Sequence, residues 1–248
     1  MKKLLIQLSV LSVLVLVSFV LVLSRADGYT DPFYTRFTTP KQNNLILGTS
    51  RAAQGVQPGI LDSIFEKDFY NYSFTIAHSP FGPTYLESIK KKLDQEKKDG
   101  IFIITVDPWS ISSTSELPND SLNFRELHLC LANTPHVDRD PNFMYLFRNL
   151  KGNYKDVLFH KKSGLYLHDN GWLEVSIKMD SVKTRQRIAD RVDMYKTQNL
   201  PYYQFSTLRL DYLKRTIQFL NQHGEVFLVR LPLHPHMMAI DDQLMPDF

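Results

Sequence analysis

The residues of this chain that can do chemistry are polar groups that follow abruptly ending apolar runs. Ser50 lies in Gly48-Thr49-Ser50-Arg51, directly after Asn44-Leu45-Ile46-Leu47. Asp107 closes Ile101-Phe102-Ile103-Ile104-Thr105-Val106, and Arg230 and His234 follow Val226-Phe227-Leu228-Val229. A serine hydroxyl exposed at such a turn can act as a nucleophile, provided a base lies within hydrogen-bond reach and donors await the oxyanion. His234 is the candidate base. Arg51, the backbone N–H of Ser50 and the N–H groups near Gly82, where a helix begins, are the candidate donors. The arrangement is not the G-x-S-x-G elbow, because Ala52 stands in place of the second glycine. Arg51 and Arg230, beside apolar strand ends, also suit an anionic or acyl-carbohydrate ligand.

Each residue has a plainer reading. Ser50 can cap the following helix or sit in a Gly-Thr-Ser turn. The arginines can be surface charges, and Asp107, ahead of Pro108, can be a strand stop. His234 and His236 flank Pro235 and can be solvated loop residues. His78, with Ser79-Pro80, lines a pocket mouth or shapes a turn. Trp109 and Trp172 stack on sugars or pack inside. No Cys/His spacing has the zinc pattern, so no metal is expected, and nothing calls for a cofactor.

These groups converge only if particular elements position them. Asn44–Leu47 reads as a buried strand that stops at Gly48. Pro58 opens a helix with Ile60, Leu61, Ile64 and Phe65 inward. Phe69–Thr75 reads as a second strand. Gly82–Lys98 reads as a helix with Leu86, Ile89 and Leu93 inward, Glu87–Lys91 and Asp94–Lys98 paired outside, and Gly100 as its stop. Ile101–Val106 is a third strand, apolar on both faces. Helices over about 182–198 and 206–222 precede a fourth core strand, Val226–Val229. The alternation implies an α/β fold, a doubly wound parallel sheet of flavodoxin-like type, with ligands beyond the carboxyl ends of its strands. Residues from about 109 to 180 break the pattern and read as a functional insertion or lid. The expected organisation is an anchor or signal segment over 1–25, a linker or lead-in over 26–42, and one domain over 43–248.

Met1-Lys2-Lys3 precedes an uncharged apolar run from Leu4 to Leu23, long enough to cross a bilayer as a helix. An uncleaved anchor with a cytoplasmic N-terminus and an exported domain is the favoured expectation. A signal peptide cleaved near Ser24-Arg25-Ala26 is the other. The net charge of +3 is mild and no basic block occurs, so nucleic acid is not an expected partner. Membrane lipid is. The single cysteine, Cys130, sits in an apolar stretch and reads as a core residue.

Leu45-Ile46-Leu47-Gly48-Thr49-Ser50-Arg51, followed by Asn71 in the second strand and a strand ending at Asp107, resembles the SGNH (GDSL-like) hydrolase superfamily. The likeness is greatest to its membrane-anchored branches, which include proteins of cell-envelope polysaccharide acylation. The resemblance implies an SGNH-type sheet with Ser50 as nucleophile. It also implies a serine esterase or acyltransferase acting on acylated envelope carbohydrate or lipid-linked acyl groups. Two motifs depart from the pattern. Val106-Asp107-Pro108-Trp109 replaces the superfamily's Gly-x-Asn-Asp, and Asp241-Asp242-Gln243-Leu244 has no histidine to complete Asp-x-x-His. The chain is therefore expected to be an active enzyme, or else a truncated or degenerate relative serving as a non-catalytic binding or scaffold module.

Overall fold

In the computed structural model the described residues are all but 151, 161–163, 178–179 and 247. The first element, α1, runs from Lys2 to Leu23. It is long and apolar enough to cross a membrane, a property that a signal sequence shares. The lead-in that follows is built into the domain. A 3-10 turn, Tyr34–Phe37, is buried throughout, because two aromatic rings beside an arginine cannot be left on a mobile tether without exposing apolar surface.

The centre is a four-stranded parallel sheet of β1 (Asn44–Leu47), β2 (Phe69–Asn71), β3 (Gly100–Thr105) and β8 (Gly224–Val229), in the order β2-β1-β3-β8. Leu45 pairs with Tyr70 on one side and Phe102 on the other, so β1 is covered on both edges and wholly buried. The helices α2 (Ser50–Gly55) and α3 (Pro58–Phe65) connect β1 to β2, and α4 (Pro83–Lys92) leads to β3.

Several elements differ from the sequence-based expectations. The helix expected over Gly82–Lys98 ends at Lys92, because the backbone there turns to bond the lead-in: Gln42 N–H donates to Lys92 O and Asp94 N–H to Gln42 O, both at 2.9 Å. Gly100 consequently opens β3 instead of closing the helix. The second strand keeps its ladder only over Phe69–Asn71, because the Asn71 side chain intrudes and accepts from Ser73 N–H. On α3, Leu61 and Phe65 pack inward, whereas Ile60 and Ile64 face solvent, because this short helix covers only the β2 side of the sheet. The β8 strand lies at the sheet edge, so Phe227 and Leu228 are exposed although they were expected in the core.

The region after β3 is assembled from short pieces. A 3-10 turn (Pro108–Ile111) leads to β4 (Ser112–Ser113), and the helices α5 (Cys130–Asn133), α6 (Phe143–Asn149) and α7 (Tyr154–Leu158) follow. The hairpin of β5 (Leu165–Leu167) and β6 (Leu173–Val175) turns at Asp169-Asn170-Gly171. Next comes α8 (Ser181–Met194), which passes into a π-helical turn at Tyr195–Asn199. The two-residue β7 (Gln204–Phe205) pairs antiparallel with β4 and hands the chain to α9 (Thr207–Leu220). Finally, α10 (Pro235–Leu244) takes in Pro235 and His236, which were expected in a loop.

The lead-in also fastens the hairpin to the sheet. Buried Arg36 donates from Nε to Asn71 O (3.0 Å) and from Nη2 to Gly171 O (2.6 Å), while Asn71 N–H donates to Asn170 O (2.9 Å). A second buried cation, Arg209 of α9, forms a two-point ion pair with Glu126 at 2.8 and 3.1 Å and stacks on Phe124.

Candidate functional site

The sheet order reverses between β1 and β3, which makes the gap beyond their carboxyl ends the topological switch point where ligands bind in sheets of this kind. Ser50 and Asp107 flank that gap. Gly48 turns the chain there at φ +150°, and a Cβ on it would run into the Thr105 hydroxyl, so only glycine fits. Its backbone is clamped on both sides. Gly48 N–H donates to the Tyr85 hydroxyl at 3.1 Å, and Gly48 O accepts from the Ser79 hydroxyl at 2.7 Å.

Ser50 is the first residue of α2 and is half-buried. Its hydroxyl makes no hydrogen bond to any described residue. The capping position belongs to Thr49 instead, and the Thr49 hydroxyl turns away from the helix to donate to Asp107 Oδ2 at 3.0 Å. Asp107 is buried and caps the following 3-10 turn through Ser110 N–H at 2.9 Å. Burial pushes its carboxyl up, against the pull of Arg51, Ser110 and Thr49.

Arg51 is committed elsewhere. Its guanidinium grips Asp241 of α10 with both nitrogens, at 2.6 and 2.8 Å, and approaches Asp107 at 3.7 Å. Trp109, fully buried, donates its indole N–H to the same Asp241 at 2.7 Å. Burial opposes the Arg51 charge, but the Asp241 bond and the two carboxylates together raise its pKa. The strand ends therefore hold one closed network of Thr49, Asp107, Arg51, Asp241 and Trp109. A crevice of about 10 Å³ remains between Arg51, Asp107 and Arg230.

Of the other expected site residues, Arg230 lines that crevice, whereas His234 and Gly82 are held by contacts of their own. His234 is exposed and caps α10, its Nδ1 accepting from His236 N–H at 3.3 Å. It lines a separate groove of about 200 Å³ with Arg187, Arg191 and Met237 of the α8–α10 side. No hydrogen bond joins His234 to Ser50 among the described residues. Arg230 is exposed, donates to Phe248 O at 2.6 Å and lies over the Phe248 ring. Gly82 opens α4 against the Glu126–Arg209 pair, and the contact of α4 with the serine loop comes from Tyr85. Trp172 stacks on His168 and donates to Gln54 O at 3.0 Å. Among the described residues no three His, Cys, Asp or Glu side chains gather as metal ligands would.

Sequence reasoning gives Asp241 only as part of a block that lacks its histidine and Ser79 only as a neighbour of His78 in a turn, and it gives Tyr85 no role. Tyr85 and Ser79 carry only generic aromatic and turn signals. The structure also holds a cavity of about 450 Å³. It lies between the lead-in and the insertion, and Asp31, Phe33, His78, Cys130, Tyr145 and Arg148 line part of it. Asp31 accepts from the Tyr145 hydroxyl (3.0 Å) and from Phe33 and Tyr34 N–H (2.7 and 2.8 Å). Burial still raises its pKa. Burial likewise raises the Cys130 thiol, so it stays protonated, as the expected core reading requires. Comparison of the chain with protein-family models, with curated proteins and with solved structures gives no match.

Proposed function

We propose that Ser50 is the nucleophile of an SGNH-like esterase or acyltransferase site held at a membrane surface by α1. Its substrates would be acylated cell-envelope carbohydrate or lipid-linked acyl groups. The observation that carries this reading is the Ser50 hydroxyl: half-buried, unbonded among the described residues, and on the turn after the central strand beside the switch point. The order β2-β1-β3-β8 is also the order in which flavodoxin-like sheets begin, which supports the finer fold reading. Ser50 Oγ attacks the acyl carbonyl carbon, and its proton passes to a base and then to the departing alkoxide. The first-turn N–H groups of α2 lack helical partners and take the oxyanion charge. Arg51, locked to Asp241, stiffens the loop. His234 serves as base in this scheme by releasing its cap on α10.

A second reading, a non-catalytic binding or scaffold module, is favoured by one observation. Asp241 fills the Arg51 fork and the Trp109 donor, which leaves little room at the strand ends. Labelling of the detergent-solubilised chain with a serine-directed fluorophosphonate separates the two. Labelling that disappears in Ser50→Ala supports the enzyme. A folded wild type that takes up no label supports the module.

A further inference from the structure

We propose that the exposed aromatic face of α6 and α7 is a second membrane contact, seated in the boundary of the bilayer that α1 crosses. This inference rests on the reading of α1 as a membrane span. The 22 residues of α1 are about 33 Å long, against roughly 30 Å of hydrocarbon, so Leu23 falls near the edge of the lipid core. Among the described residues the domain grips α1 only at that end: Leu23 is buried and Phe19 half-buried, while residues 2–18 are exposed. The Phe19 ring meets the Tyr154 ring of α7 edge-on, with 5.0 Å between centroids. Phe19 lies about 6 Å along the helix axis from Leu23, which sets α7 at the depth of the headgroup boundary.

The residues presented there have the chemistry of that depth. Leu158 lies one turn after Tyr154 on the same face of α7, and Phe159 follows, 69% exposed. On α6, Phe143 and Phe147 share a face, and Phe147 is 76% exposed. Lys155 on α7 and Arg148 on α6 are exposed as well and suit anionic headgroups. Aromatic rings with flanking cations are what an interfacial segment buries, to a depth of about 5–10 Å. Continuity with α1 through the Phe19–Tyr154 contact names the bilayer as the occupant of this face.

The test uses the full chain in vesicles of zwitterionic and anionic phospholipid. Nitroxide labels are placed singly at Phe147→Cys, Leu158→Cys and Val13→Cys, with the wild type, whose Cys130 is buried, as background. Accessibility to oxygen and to a water-soluble nickel chelate is then measured by power saturation. The expected result is strong oxygen access at Val13, with labels at 147 and 158 shielded from nickel at shallow lipid depth. Labels at 147 and 158 in water, with Val13 in lipid, would overturn this inference and leave the anchor standing. Spin–spin broadening at 147 and 158 would show a second copy covering the face and would overturn it too. Val13 in water would remove the membrane reading and this inference together.

Discussion

Ser50, Arg51 and Asp107 stand within the residues the sequence marks as chemical, and the structure divides their labour. Ser50 has no hydrogen-bond partner among the described residues, Asp107 holds Thr49 and the next turn, and Arg51 ties α2 to α10. The strongest consequence lies at Asp241, which is fully buried and accepts three N–H donors at once, two from Arg51 and one from Trp109. Asp241→Asn keeps the shape but removes the charge, leaving half-buried Arg51 with Asp107 alone. Breaking one partner of a buried pair costs about 3–5 kcal/mol, so urea denaturation is expected to show a loss near the lower end, since Asp107 retains part of the attraction. An unchanged midpoint would mean that α10 is not held by this pair.

At the scale of elements, the decisive joint is the β5–β6 hairpin against β2. Gly171 sits at φ +80°, and a Cβ there would strike the backbone of Asn71, the residue whose carbonyl Arg36 also binds. Gly171→Ala is expected to lower stability by more than about 1 kcal/mol, because alanine resists positive φ and the hairpin must lift from the sheet. A thermal-melting comparison with Gly59→Ala, a helical position where an added Cβ meets nothing within 4 Å, isolates the effect. Equal melting of the two variants would refute it. Elsewhere, helical spacing located α9 well, since Leu213 and Leu220 are buried, and the helix expected over about 182–198 runs past α8 into the π-helical turn, where Tyr195 is buried. It overran α4, because a helix end is set by what the backbone bonds next, and here that partner is Gln42, some fifty residues earlier.

At the scale of the whole molecule, Lys92 joins three parts of the chain. From α4 its Nζ donates to Thr39 O (2.6 Å) and Thr39 Oγ1 (2.7 Å) in the lead-in and to Val137 O (3.0 Å) in the insertion. Burial lowers its pKa from 10.5 to about 7, with Asp138 pulling the other way. Between those values the unfolded chain binds more protons than the folded one, so stability rises with pH across this window. Below about pH 7 both states carry the proton and the contribution is flat. Lys92→Met removes this titration. The stability difference, wild type minus variant, is expected to grow from neutral pH toward pH 10 by at most about 1.4 kcal/mol per unit. A difference independent of pH would show that the three acceptors keep Lys92 charged throughout.

The apolar run of α1, the strand stops at Gly48 and Asp107 and the β-α-β alternation were legible in the sequence, because each is a local pattern of hydrophobicity and turn residues. Such patterns dictate secondary structure, and the parallel sheet follows from their order. Tertiary structure alone decided that Asp241, far along the chain, would close on Arg51 and Trp109, and that His234 would cap α10. It alone placed α7 beside the last turn of α1. Those outcomes depend on which buried charges and donors find partners across long stretches of chain, a condition that no local spacing encodes.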